Sequence, residues 1–304
     1  VHRAAPFDLL RVHSLRYIGP SALWARRRHG LRVPIVAHHH HLDPSPLNRV
    51  IERRVVQRVD RVVVGSEFAR RQLAAELGVR TGHVTVVPYG VDERFGPRPA
   101  RPELRARYGL ADGPVALFFG GLKPRKNLSL LLEVWAHARG AEPSARLLIA
   151  GGGALYGELR ARAAALGIAD SVRFTGYVAE DEKAAHFNLA DVFVFPSAME
   201  GFGLTVAEAM ASGLPVVTSD RGSLPELVVD GEGGFVCDLS TPAQFVVALQ
   251  RLLGDAGLRR KFAAANVERA ERLFRWDVCV RRTREVYEDA VEESRRQRGS
   301  SCTP

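Results

Sequence analysis

The sequence predicts an α/β protein built from two parallel sheets with helices on both faces, and three observations predict it. Short apolar, β-branched runs alternate with stretches of helical periodicity. Several of those runs end in glycine, where a tight strand-to-helix turn is expected. A Pro- and Arg-rich stretch over residues 93–110 divides the alternation into two parts.

In order, residues 6–13 read as a strand and 20–29 as a helix carrying Ala22, Leu23, Trp24 and Ala25 among arginines. A strand at 34–37 runs into His38, His39, His40 and His41, and a helix with the basic face Arg49, Arg53 and Arg54 follows. Next come a strand at 61–64, a helix capped by Ser66 that ends near Gly78, and a short strand at 84–87. Only four strands precede residue 92, whereas a complete nucleotide-binding fold carries about six. The first domain, 1–98, is therefore expected to be incomplete.

The second domain, 99–274, opens with a strand at 115–119 and the loop 120–127 (GGLKPRKN). Asn127 is expected to cap a helix whose Leu128, Leu131, Leu132 and Trp135 keep helical spacing. A strand at 146–150 ends in three glycines, an Ala/Arg-rich helix leads to Gly167, and a strand at 172–175 ends at Gly176, Tyr177 and Val178. The run 192–195 (VFVF) is a buried strand, followed by a glycine turn, a helix over 204–212 and a strand over 214–218. A last strand covers 234–237 and helices fill 241–273. A terminal helix covers 275–293, and the tail 294–304 is expected to be disordered.

Composition narrows the function classes. The chain is 304 residues long, enough for two domains, and 46% hydrophobic with 25% charged residues, a soluble globular profile. No apolar run approaches the length of a membrane span. The net charge of +9 suggests an anionic partner, yet only four of the 43 basic residues are lysine. That arginine skew points to genome composition. With no aromatic–basic interleaving and no zinc-finger spacing, nucleic acid is not an expected partner. Peripheral contact with an anionic membrane is kept as a partner reading. Three widely spaced cysteines indicate neither a disulfide framework nor a metal site, so a cytoplasmic protein is expected.

The stretch 196–226 carries the chemistry. Glu200 and Glu208 stand eight positions apart around a glycine turn and a helix start. A helix start offers unpaired N–H groups to an anion, while the two acids repel one. A ligand with phosphate in its middle and hydroxyls at both ends meets both demands, as a nucleotide-sugar does; two solvated acids fit the spacing equally well. Arg125 and Lys126 end a Gly-rich loop before a helix, which suits a diphosphate and also suits an ordinary basic loop. Four consecutive histidines alternate direction on a strand, so at most two share a face, and a closed metal site is not expected.

Taken together, Glu200 and Glu208, the Gly201-Phe202-Gly203-Leu204 turn between them and the Ser223 to Glu226 segment after them resemble family 4 retaining glycosyltransferases of the GT-B fold. The resemblance runs from about residue 7 to 287. It implies two Rossmann-like domains, the N-terminal one incomplete and on the acceptor side, with the C-terminal helix crossing back over it. It implies transfer of a hexosyl group from a UDP- or GDP-sugar such as GDP-mannose to an acceptor hydroxyl of a glycan, lipid-linked glycan or small molecule. The anomeric configuration is retained, no metal or cofactor is required, and the nucleotide-sugar is a co-substrate.

By the same resemblance, Glu200 holds the sugar, Glu208 the ribose, and Arg125 and Lys126 the diphosphate. Gly120, Gly121, Gly201, Phe202, Gly203, Leu204 and Thr205 shape the donor site, and Tyr177 and Val178 hold the base through their backbone. Stacking or simple packing remain open for the Tyr177 ring. His40, with His39 as the nearest competitor, is the histidine that the resemblance brings to a sugar hydroxyl, and Glu226 lies near the nucleotide or only packs. Gly121 stands where the family often has arginine, which leaves the phosphate pairing open. Two rival functions stay: a catalytically impaired nucleotide-sugar-binding remnant, and a sugar-nucleotide epimerase of the same fold.

Overall fold

The computed structural model describes residues 7–40, 45–78, 80–110 and 113–300, with the main chain alone at 81, 299 and 300. His41 and the end of the tail, 301–304, lie outside the described residues. Contacts divide the chain into two compact units, Val1–Gly90 with Asp277–Pro304, and Val91–Trp276.

In the first unit, β1 (Leu10–Val12), β2 (Ile35–His39), β3 (Arg61–Val64) and β4 (Val84–Val86) are parallel neighbours in chain order. Helices α1 (Gly19–Arg28), α2 (Pro46–Val56) and α3 (Glu67–Leu77) connect them. The Ser66 side chain accepts a bond from the Ala69 N–H at 3.1 Å, so α3 starts where its cap predicts. Strand periodicity sends Ile35, Ala37, Val62 and Val64 to one face, where they pack with Val55, Leu73 and Leu77.

The second unit is a six-stranded parallel sheet. Its members are β5 (Val115–Phe119), β6 (Arg146–Ala150), β7 (Val172–Gly176), β8 (Val192–Phe195), β9 (Val216–Ser219) and β10 (Gly234–Cys237). Helices α4 (Pro102–Arg107), α5 (Leu128–Ala138), α6 (Tyr156–Ala165), α7 (Lys183–Phe187), α8 (Leu204–Ala211), α9 (Leu224–Leu227), α10 (Pro242–Gly254) and α11 (Ala256–Leu273) surround it. The strand order is β10-β9-β8-β5-β6-β7. From β5 the chain first winds outward through β6 and β7. It then returns to the other side of β5 and winds outward again through β8, β9 and β10. The reversal between β5 and β8 leaves a crevice at the carboxyl ends of those strands, the place where open α/β sheets bind ligands.

Buried apolar side chains hold this centre. Phe118 stacks on Phe195 at 5.6 Å, Phe195 on Phe193 at 5.6 Å, and Phe119 on Phe187 at 5.3 Å. Burying each such ring contributes about 1.5–3 kcal/mol, which explains the unbroken VFVF run of a strand covered on both faces.

Two expectations about boundaries change. Residues 93–110 are not a free linker: Phe95 and Leu104 are buried, and the Phe95 ring meets Phe187 edge-on at 5.7 Å, so the Pro/Arg-rich composition hides a packed stretch. The terminal helix α12 (Trp276–Ser300) runs past 293, so 294–300 are helical and not disordered. Its Val286 and Ala290 cover Val36 and Val63 on the second face of the first unit's sheet.

Candidate functional site

The crevice between β5 and β8 is filled by two loops that the sheet order brings together. After β5, residues Pro124–Lys126 form a 3-10 turn, and Asn127 follows with φ 56°. Asn127 occupies the N-cap position of α5 but makes no side-chain cap bond, because the turn puts its backbone in the left-handed region. After β8, residues 196–203 lead into α8. The loops are tied by main chain, with the Ala198 N–H donating to the Arg125 carbonyl at 2.8 Å.

Their side chains converge on one atom. Glu200 Oε1 accepts from Lys126 Nζ at 2.6 Å, Arg125 Nη1 at 2.6 Å and Ser197 Oγ at 2.7 Å. Glu200 and Lys126 are 8% and 7% exposed, so this is a buried ion pair that a third donor and a guanidinium complete. Burial pushes the Lys126 amine below its ordinary pKa, Glu200 pulls it back up, and Arg125 and Lys123 add to the lowering. The ammonium also lies 4.3 Å from the centre of the Phe195 ring, whose π face compensates part of the lost hydration. Oε2 of Glu200 takes none of these bonds, and Arg125 uses Nη1 alone. The cluster therefore keeps an acceptor and the rest of a guanidinium for a ligand.

The Glu200 backbone is clamped from β9. Its carbonyl accepts from the Ser223 N–H at 3.0 Å and from Ser223 Oγ at 3.1 Å, and Ser219 Oγ donates to the Ser197 carbonyl at 2.5 Å. Ser223 is thus a support for Glu200. Glu226 offers its carbonyl to Arg269 at 2.9 Å.

Glu208 sits on α8 and is 4% exposed. Its partner is not the Arg125–Lys126 loop but Lys183, whose Nζ donates to Oε1 at 2.7 Å. Burial raises the carboxyl pKa, and Lys183 opposes that rise. The other oxygen, Oε2, is buried without a hydrogen-bond partner among the described residues.

Three strand ends form a backbone shelf beside these side chains. Gly120 and Gly121 follow β5, Gly151 to Gly153 follow β6, and Tyr177 follows β7. Gly151, at φ 134°, passes so close to the first loop that a Cβ would lie 2.1 Å from the Gly120 oxygen. Tyr177 is 83% exposed, so its ring is not a packing residue, while Val178 is half-buried. Gly203 precedes α8, and Leu204 and Thr205 form its first turn, without a side-chain cap. Phe202, in the turn before α8, is 5% exposed with its ring edge-on to Phe274 at 5.8 Å, so its ring belongs to the core.

His40 belongs to the first unit and is exposed, with Nδ1 2.6 Å from the Tyr89 hydroxyl. Burial pushes the Tyr89 pKa up to about 12, so the phenol stays protonated. His38 and His39 are buried at the end of β2. His38 bonds Tyr287 at 2.8 Å, and burial, with Arg11, His13 and His40, lowers its pKa to about 4.

Lys183, Ser197 and Ser223 were not singled out for these roles by the sequence. Ser223 opens the Ser223 to Glu226 segment that follows the two acids, and Lys183 carries the signal of being one of four lysines. Ser197 carries none.

Residues 100–269 match the model of "Glycosyl transferases group 1", and residues 1–95 that of "Glycosyltransferase Family 4". The chain is 34% identical over 321 residues to the D-inositol 3-phosphate glycosyltransferase of Streptomyces bingchenggensis, covering 98% of this chain and 70% of that protein. It is 35% identical over 264 residues to the GDP-mannose-dependent alpha-(1-6)-phosphatidylinositol monomannoside mannosyltransferase of Mycolicibacterium smegmatis, covering 83% and 67%. Against a second inositol-phosphate glycosyltransferase, from Kineococcus radiotolerans, the chain spans 63% of the relative's length.

Among solved structures, Anabaena HepE in complex with UDP superposes with a TM-score of 0.83 at 23% identity, covering 95% of this chain and 80% of that one. Sucrose-phosphate synthase from Thermosynechococcus elongatus superposes at 0.79 and 24%, covering 95% and 75%. These likenesses show the GT-B fold class. Matched by family models in both parts, and a third identical to named glycosyltransferases over most of its length, the chain belongs to glycosyltransferase family 4.

Proposed function

We propose that the chain binds a UDP- or GDP-sugar at the β5–β8 crevice and transfers its hexosyl group to an acceptor hydroxyl with retention at the anomeric carbon. One observation carries the reading: Glu200 Oε1 collects Lys126, Arg125 and Ser197 at the topological switch point, while Oε2 and most of the Arg125 guanidinium stay available. In this reading the diphosphate lies against Arg125 and Lys126, which oppose the charge that grows as the sugar–phosphate bond breaks. The acceptor oxygen attacks from the face the phosphate leaves, and its proton passes to a departing phosphate oxygen. The products are a glycoside and a nucleoside diphosphate. Two protein cations replace the charge a divalent ion would bring, so transfer is expected without metal. His40, held by Tyr89, is assigned a sugar hydroxyl on the resemblance alone.

The named relatives act on inositol-phosphate and phosphatidylinositol-mannoside acceptors, which supports a phosphoinositol-type acceptor here. The test is calorimetry with UDP and GDP, then incubation with UDP- and GDP-hexoses and inositol-phosphate acceptors, with and without EDTA. One nucleotide should bind, and an EDTA-resistant glycoside of the donor's own anomeric configuration should form. Binding without turnover selects the remnant; release of an altered free sugar selects the epimerase.

The membrane reading has its own support. No described helix is long and apolar enough to cross a membrane. Yet α1 and α2 leave Trp24, Leu47 and Val50 exposed beside Arg27, Arg28, Arg49, Arg53 and Arg54. Apolar anchors among cations suit an anionic leaflet at the cytoplasmic face. Co-sedimentation should follow phosphatidylglycerol content and fall in 0.5 M salt; equal behaviour with neutral vesicles removes the reading.

A further inference from the structure

The buried pair of Lys183 and Glu208 is an arrangement that folding alone does not explain. Lys183 opens α7, twenty-five residues before Glu208, and its ammonium lies 2.7 Å from Oε1. Their side chains are only 14% and 5% exposed. The ammonium also faces two rings, Phe95 at 5.5 Å and Phe119 at 5.6 Å, with no other hydrogen-bond partner among the described residues. Glu208 Oε2 is buried with no hydrogen-bond partner among the described residues. A buried carboxylate oxygen left without a donor is costly, so a site that keeps one is incomplete without a ligand. The other charges facing this carboxyl are Glu180 and Arg94, which pair with each other.

The residue type matters as much as the contact. A guanidinium is a planar fork that tends to take both oxygens of a carboxylate, whereas an ammonium is a point donor that takes one. This chain uses arginine almost everywhere, and only four of its 43 basic residues are lysine. One of those four stands where a single-point donor leaves half of a buried acid bare.

We propose that Lys183 is the positioning residue for the nucleoside end of the donor: it takes one oxygen of Glu208, keeps that carboxylate ionised, and leaves Oε2 for the ribose hydroxyls. This rests on the nucleotide-sugar reading and adds a residue to it. The raised carboxyl pKa that burial imposes on Glu208 agrees, since without its cation the acid would hold a proton into a higher pH range.

The test is calorimetry of UDP and GDP against their 2′,3′-dideoxy counterparts, from pH 5.5 to 8.5. The wild type should prefer the ribonucleotide about 10- to 100-fold, at little cost from pH, as expected for a hydrogen bond to a charged group. Lys183→Met should bring ribonucleotide binding down to the dideoxy level at pH 6. Binding should recover as rising pH ionises Glu208, while dideoxy binding stays as in the wild type. Should that variant not fold, Lys183→Arg gives an independent reading: charge is kept, both oxygens are capped, and ribose preference should be lost at every pH. An equal loss for both ligand types, no loss in Lys183→Met, or retained ribose preference in Lys183→Arg overturns the proposal. A wild type that binds neither nucleotide removes it together with the donor reading, whereas those variant results leave the donor reading standing.

Discussion

Lys126→Ala is expected to lower kcat/KM for sugar transfer by about 30- to 900-fold, the equivalent of about 2–4 kcal/mol of lost transition-state stabilisation. Two effects combine. The substitution removes a cation from the site where the leaving diphosphate is proposed to lie, and it removes one of three donors from Glu200 Oε1. Arg125 and Ser197 remain on that oxygen, so the acid is not left bare and the fold should hold. Losing the ammonium also strips the Phe195 face of its charge 4.3 Å away. Because Arg125 and Ser197 still hold the Glu200 carboxylate, the variant should melt within a few degrees of the wild type while losing turnover. Steady-state kinetics and a thermal melt check both. A fall of less than threefold with an unchanged melt would remove the diphosphate assignment.

Gly222→Ala should cripple the site without deleting any functional group. Gly222 has φ +64°, and a Cβ there would lie 2.3 Å from the Glu200 carbonyl oxygen and 2.8 Å from its nitrogen. The same carbonyl is clamped by Ser223 through both N–H and hydroxyl. The added methyl must therefore push back the backbone that carries Glu200, on top of a left-handed strain of about 1–3 kcal/mol. A displacement of about 1 Å at a reacting group can cost on the order of 100-fold in rate. The expected result is a lower melting temperature together with a 10- to 100-fold fall in kcat/KM, both approximate. Gly157→Ala, in α6 with nothing within 4 Å of its Cβ position, is the control and should be neutral or mildly stabilising. Wild-type turnover in Gly222→Ala would show that Glu200 placement does not limit the reaction.

Much of the site was legible because its signals are local. A glycine turn between an apolar run and a helix marks a strand end wherever it occurs. The acids and cations at those turns, Glu200, Glu208, Arg125 and Lys126, could be nominated from spacing and family resemblance. Where the reading missed, the deciding contact lay far along the chain. Nothing near Phe202 in the chain says where its ring goes, and Phe274, seventy-two positions on, takes it. Residues 93–110 look like a linker by composition, but Phe187 receives Phe95. Asn127 has the residue type of a side-chain cap, yet the turn before it sets a left-handed backbone, and the cap bond is not made.

The sequence alone determined which side chains stand at strand ends, which faces of the strands are apolar and which loops carry charge. These follow from a two-residue strand period and from turn chemistry within a few positions. Only the tertiary structure decided that β8 lies beside β5, so that Glu200 meets Arg125 and Lys126, and that α7 delivers Lys183 to Glu208. The physical reason is that parallel strands pair through crossovers whose neighbours are chosen by packing across the whole sheet, and no short spacing in the chain encodes that choice.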